Sequence, residues 1–333
     1  MRARLVLLAL VMCPTELAAQ QPVDAPLRVY VSNEDDGTVS VIDAATNRVT
    51  HRLRVGLGPR GIAAGANGRI YVALSDTQRS TTGDADAIAE IDAAAPRLVT
   101  RHRAGSDPEA FALSPDGARL YASNEDAGTA SIIDLSTRES LATLVVGIEP
   151  EGVAASPDGR WVYVTAETSN TVSAIDARSN SVTASFLVDM RPRGVAFSPD
   201  SRRAYVSNEI SATVSVVDVA THTVVDAIAL EPGAKPVGVA VSPDGTRLYV
   251  SLGARGSVAV VDTRSLTLVA EVPVGRRPWG IALTPDGSRL YTANGASDDV
   301  SVVDTGTLRE IARVSVGRGP WGIAVARHAG PSR

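Results

Sequence analysis

Residues 192–230 read PRGVAFSPDSRRAYVSNEISATVSVVDVATHTVVDAIAL, and the fold can be read from this stretch. Gly194 to Phe197 is a short apolar run closed by the turn Ser198-Pro199-Asp200-Ser201. Arg203 to Ser207 and Thr213 to Val217 are two further runs, with the loop Asn208 to Ala212 between them. Asp218 to Thr221 turns into a fourth run, Thr223 to Leu230. The runs are rich in Val, Ile, Thr and Tyr and are bounded by Pro, Asp, Gly and Asn, the composition of strands and their turns. No window has the 3.6-residue spacing of an amphipathic helix.

The pattern recurs along the chain. An Asp closes the third strand at Asp43, Asp92, Asp134, Asp176, Asp218, Asp262 and Asp304. A Pro opens the first at Pro59, Pro108, Pro150, Pro192, Pro236, Pro278 and Pro320. All seven tyrosines (Tyr30, Tyr71, Tyr121, Tyr163, Tyr205, Tyr249 and Tyr291) hold one place in the second. Asp to Pro is 16 residues, Pro to Tyr 13 and Tyr to Asp 13; the exceptions are 18 at Asp218–Pro236, 12 at Pro59–Tyr71 and 21 at Tyr71–Asp92. Four strands in a period of about 42 residues is the signature of a propeller blade.

The chain ends show how the ring closes. The first copy begins at Leu27 with its second strand, and the last ends at Pro320 to Val325 with a lone first strand. Joined, they complete one blade and remove two unpaired edges. The expectation is an all-β, seven-bladed propeller with four antiparallel strands per blade, closed by the C-terminal strand a joining the N-terminal strands b, c and d. Residues 21–333 form that single domain.

Residues 1–20 read as a signal peptide: Arg2 and Arg4, an apolar run from Leu5 to Met12, then Leu17-Ala18-Ala19 before cleavage near residue 19 or 20. Export to the periplasm or cell exterior is expected. The only cysteine, Cys13, lies in this segment, behind a Met12 too bulky for a lipidation site. The mature chain then has no thiol for disulfides, thiolate metal sites or cysteine catalysis. Cleavage leaves 30 Lys and Arg against 36 Asp and Glu, an acidic balance that excludes a nucleic-acid footprint. No later apolar run reaches membrane-spanning length, and a monomer is expected.

Tyr30-Val31-Ser32-Asn33, Tyr205-Val206-Ser207-Asn208, the Thr-Val-Ser-Val-Ile/Val-Asp strand and the Pro-x-Gly-Ile-Ala strand resemble the YVTN-type β-propeller repeats over essentially the whole mature chain. More narrowly, the chain resembles the propeller proteins associated with catabolism dependent on pyrroloquinoline quinone (PQQ). That resemblance implies a periplasmic protein working beside quinoprotein alcohol dehydrogenases and cytochromes c, with no established chemistry of its own. PQQ enters as a ligand of the pathway, not as a bound prosthetic group.

The seven Asp read as hairpin closers, and the Ser-Pro-Asp-Gly segments at Ser114, Ser156 and Ser242 as a–b turns rather than catalytic serines. His51 and His102 fall on outer strands, His222 in a turn and His328 in the tail, with no metal-ligand spacing. The informative positions differ between blades. After each repeat Pro stand Arg60, Glu109, Glu151, Arg193, Val237, Trp279 and Trp321, around the mouth of the central channel. Asp107, Glu149, Arg191, Lys235 and Arg277 precede the Pro in five blades. Two exposed Trp at a concave mouth suggest stacking or anchoring, so Trp279, Trp321, Arg60, Glu109, Glu151, Arg193 and Arg277 form the candidate ligand- or partner-binding site. The bland reading is a set of surface salt bridges with a Trp pair capping the channel. Acidic b–c loops such as Asn33-Glu34-Asp35-Asp36 suit a basic partner such as a cytochrome c, or weak Ca²⁺ binding; Ser75 to Asp86 reads as a polar loop. The leading expectation is a non-catalytic binding or scaffold protein; the alternative is a lactonase-like hydrolase using Glu109 and Glu151.

Overall fold

The computed structural model describes residues 26–75 and 86–327. The signal-peptide reading, most of the 75–86 loop and His328 lie outside the described residues. Every described element is a strand, and the strands form seven four-stranded antiparallel sheets. The strand a of blade one is Pro320–Arg327; it pairs with Leu27–Asn33, which continues through Thr38–Asp43 to Arg48–Arg54. The ring therefore closes as the termini imply. Blades two to seven begin at Pro59, Pro108, Pro150, Pro192, Pro236 and Pro278. No described helix is long and apolar enough to cross a membrane.

Stability is distributed between blades rather than gathered at one centre. Seven buried clusters each join two neighbouring sheets, and each contains one repeat Tyr. The tyrosines are 0–2 % exposed. The Asp closing strand c performs the same task in every blade: its Oδ1 accepts the N–H three residues on, as Asp43 does from Thr46 at 2.8 Å and Asp218 from Thr221 at 3.0 Å. The hydroxyl of Ser136, followed by turn N–H groups, holds Asp134 down at about 2.

The Ser of the Tyr-x-Ser-Asn motif stitches blade to blade. Ser207 Oγ accepts from Gly194 N at 2.9 Å within its blade and donates to the Val237 carbonyl of the next at 2.5 Å. Ser32, Ser123, Thr165 and Ser251 repeat this bridge. The Asn beside it braces the b–c corner: Asn208 Nδ2 donates to Thr213 Oγ1 and Ser215 Oγ, both at 3.0 Å. These bonds satisfy polar groups that would otherwise be buried unpaired.

Candidate functional site

The mouth of the channel is built from three positions per blade: the residues on either side of the repeat Pro, and the first residue of the b–c loop. All seven residues before the Pro (Gly58, Asp107, Glu149, Arg191, Lys235, Arg277, Gly319) lie in the left-handed region, with φ between 47° and 62°. The cause is a backbone bond. Each of their carbonyls accepts the first b–c loop N–H of the same blade at 2.8–3.0 Å, as Glu149 does from Glu167 and Lys235 from Gly253. A side chain in this conformation costs about 1 kcal/mol that glycine avoids. Two blades use glycine; the other five keep a charge there.

The carboxylates gather around two arginine centres. Arg60 bonds Glu34 at 2.9 Å, contacts Glu109, and lies 3.6 Å from Asp107 and 3.9 Å from Glu125. Arg193 bonds Glu209 at 3.0 Å and Glu167 at 2.6 Å and contacts Glu151; Arg191 lies against Glu167 and 3.3 Å from Glu209. Four carboxylates thus share one guanidinium, and three share two. Glu109 and Glu151, expected at an open mouth, are 3 % and 7 % exposed, buried beneath their arginines. The sequence put Arg60, Glu109, Glu151 and Arg193 on one arc and read the b–c loops of Glu34, Glu125 and Glu209 as acidic, but did not join those loops to the arginines, and it missed Glu167. Glu167 and Glu209 follow the strand b positions Ala166 and Asn208, and that repeat register was the available signal.

Excess negative charge in a partly dry site favours protons. Burial, with Glu167 and Glu125 adding to it, pushes Glu151 up to about 8 despite Arg193; burial and then Asp107 push Glu125 up to about 7. Their pKa values rise on folding, so the stability they contribute is complete below the unfolded value near 4.5 and is lost as pH rises through 7 and 8. The hairpin Asp43, Asp218 and Asp304 are held low by turn hydrogen bonds and lose their contribution only in acid. Calorimetry should therefore show Tm falling between about pH 5 and pH 8.5, and Glu151→Gln should flatten much of that fall. A Tm that rises over the same interval would contradict the raised carboxylates.

Asp107, Glu109 and Glu125 bring carboxylate oxygens within 4.8 Å of one another and are the described group best placed to chelate a divalent cation. Arg60 already lies among them, so a cation would have to displace it.

The two Trp differ from expectation. Trp279 and Trp321 are only half-exposed and stack on each other, with centroids 6.0 Å apart and planes 15° from parallel. Arg277 lies 4.7 Å and Arg193 5.3 Å from the Trp279 centroid. Trp279 thus orders guanidinium groups as well as presenting a surface. Trp279, Trp321, Arg193 and Glu151 themselves line an open central cavity of about 210 Å³, together with inner-strand residues such as Phe111, Val195 and Ile281.

Away from the mouth, His102 lies on the outer strand Arg97–Arg103 as expected, yet it is 1 % exposed and its Nε2 lies 3.0 Å from Glu90 Oε2. Glu90 stands in strand c where Val41, Ile132, Val216 and Val302 stand elsewhere, the sequence signal for this buried pair. Arg69 Nε completes it, 3.3 Å from Glu90.

A family model described as "Lactonase, 7-bladed beta-propeller" matches residues 188–321. No curated protein matches the chain. Among solved structures, a chain of Kuenenia stuttgartiensis hydrazine synthase is 22 % identical with a TM-score of 0.74, covering 89 % of this chain and 99 % of that one. A functionally unknown protein from Desulfotomaculum acetoxidans is 17 % identical (TM-score 0.77; 91 % and 99 % covered). A proposed 6-phosphogluconolactonase from Bacteroides uniformis is 19 % identical (TM-score 0.76; 91 % and 100 % covered). At these identities the likeness is one of fold. The chain is a seven-bladed β-propeller, similar to the lactonase-type propellers over residues 188–321, which span its last three blades.

Proposed function

We propose that this propeller is an exported binding module that docks a basic partner on its funnel face, as an accessory to periplasmic quinoprotein alcohol oxidation. One observation carries the binding reading. Five charged side chains occupy left-handed backbone positions for which the fold itself needs only glycine. Ten other described non-glycine residues, Arg138, His222, Leu266 and Leu308 among them, are left-handed at other turns, so what marks the rim is that all five of its side chains are charged. The excess of carboxylates around Arg60 gives the partner's sign, because a concave mouth concentrates its field. The family resemblance supplies the setting: the partner is a quinoprotein alcohol dehydrogenase or its cytochrome c, with PQQ as the small-ligand alternative.

A basic c-type cytochrome titrated calorimetrically at low salt should bind, and added salt should weaken the complex. Trp279→Ala, which removes an aromatic anchor at the mouth, should weaken binding by more than about 1 kcal/mol, roughly fivefold. An unchanged Kd rejects the site; no binding by the unaltered protein rejects the partner.

A lactone-hydrolase reading has one specific observation behind it: Glu151, pushed up to about 8, is in the range of a general acid–base at neutral pH. Against it, Glu109 and Glu151 are each held by an arginine rather than facing one another as a free pair. Lactone turnover abolished by Glu151→Gln would favour hydrolysis.

A further inference from the structure

We infer that the funnel holds a separate subsite for a small organic oxyanion, a carboxylate or phosphate ester, between Lys235, Arg277 and Trp279. The inference rests on the funnel being a binding face, but not on the basic partner. Of the funnel's cations, Arg60, Arg191 and Arg193 are neutralised by carboxylates. Lys235 and Arg277 have no carboxylate partner among the described residues, and both are exposed. They precede Pro236 and Pro278 in adjacent blades, so the ring sets them side by side on one rim.

A cavity of about 360 Å³ opens between them, lined by Lys235, Arg277, Trp279, Val237, Ala254 and Glu209 among others. That volume lies at the lower end for small-ligand sites. Arg277 rests over the Trp279 ring, a contact that orders the guanidinium while leaving N–H donors along its edge for a forked oxyanion contact. Lys235 adds a second positive charge without geometric demand. Val237 and Ala254 offer apolar surface to the body of a ligand. Glu209 on the far wall is bonded to Arg193, and its charge directs an anion towards Lys235 and Arg277. Both cations sit in left-handed backbone at φ 53° and 52°, a conformation that glycine adopts at lower cost.

The same backbone makes the test clean. Gly58 and Gly319 occupy this position in two blades, so Lys235→Gly and Arg277→Gly preserve the local fold. In a Trp161→Phe background, tryptophan emission reports Trp279 and Trp321 alone. Benzoate, phenyl phosphate and acetate are titrated at constant ionic strength. A saturable change with a Kd below about 1 mM for an aryl oxyanion is expected, weakened at least tenfold in each glycine variant at undiminished Tm. Preference for benzoate assigns a carboxylate and preference for phenyl phosphate a phosphate ester; either supports the subsite. No saturation by any probe, or equal affinity in both glycine variants, overturns it. Benzoate binding without cytochrome binding would sink the docking reading alone; cytochrome binding without benzoate binding would sink this one alone.

Discussion

Ending the chain at Gly319 should leave no cooperatively folded monomer. The lost segment, Pro320–Arg327, is the inner strand of blade one and pairs with Leu27–Asn33 along its length. It also buries Ile323 and Ala324 in the closing interface. Without it the second strand of blade one becomes an inner edge open to water, and blade seven loses its neighbour at the channel. The expected loss exceeds about 5 kcal/mol, comparable to the whole stability of an ordinary domain. Urea melts followed by circular dichroism, with size-exclusion chromatography alongside, should show a broad or absent transition and aggregation through the freed edge. A sharp transition at the full-length midpoint would mean the ring does not depend on its terminal strand.

Nearly as large an effect is expected from one methyl group. A Cβ on Gly194 would lie 2.5 Å from the carbonyl oxygen of Val237, the acceptor of the Ser207 stitch. Both atoms belong to inner strands, so a rotamer change cannot relieve the contact. Gly194→Ala should cost about 3 kcal/mol by prying blades five and six apart. Gly306→Ala is the control: its Cβ would meet Asp304 at an ordinary 3.5 Å, and it should cost less than about 1 kcal/mol. Equal urea midpoints for the two variants would refute close inner-strand packing as the reason for the repeat glycine.

What the sequence revealed and what it hid follow one physical division. Blade number, strand order and closure were legible because Tyr, Asp and Pro each answer a demand repeated in every blade. The Asn of Tyr-x-Ser-Asn was read as bounding a strand, and it does so by bracing the b–c corner. The Ser was not read, since its acceptor carbonyl lies in the next blade, as Val237 does for Ser207. At the mouth, the variable arc of Arg60, Glu109, Glu151 and Arg193 stood out by differing between copies. Its burial did not, because Arg60 gathers Glu34 from one blade and Asp107, Glu109 and Glu125 from another, from two loops, a d–a connection and an inner strand. The left-handed backbone at Lys235 and Arg277 was likewise hidden, although Gly58 and Gly319 at the same register pointed to it. The Trp pair was placed correctly and its exposure overestimated, since nothing local announces that two rings will stack.

The proposal that the rim charges serve binding rather than folding is tested most directly by one protein carrying Glu149→Gly, Lys235→Gly and Arg277→Gly. Its Tm and its affinities for cytochrome and benzoate would be measured side by side with those of the unaltered chain. Relief of left-handed strain should leave Tm equal or slightly higher, while benzoate affinity drops at least tenfold; removing Lys235 and Arg277 makes the funnel more negative, so cytochrome affinity should hold or rise. A lower Tm with benzoate affinity unchanged would show the reverse: charges kept for the fold, and no oxyanion subsite at Lys235 and Arg277.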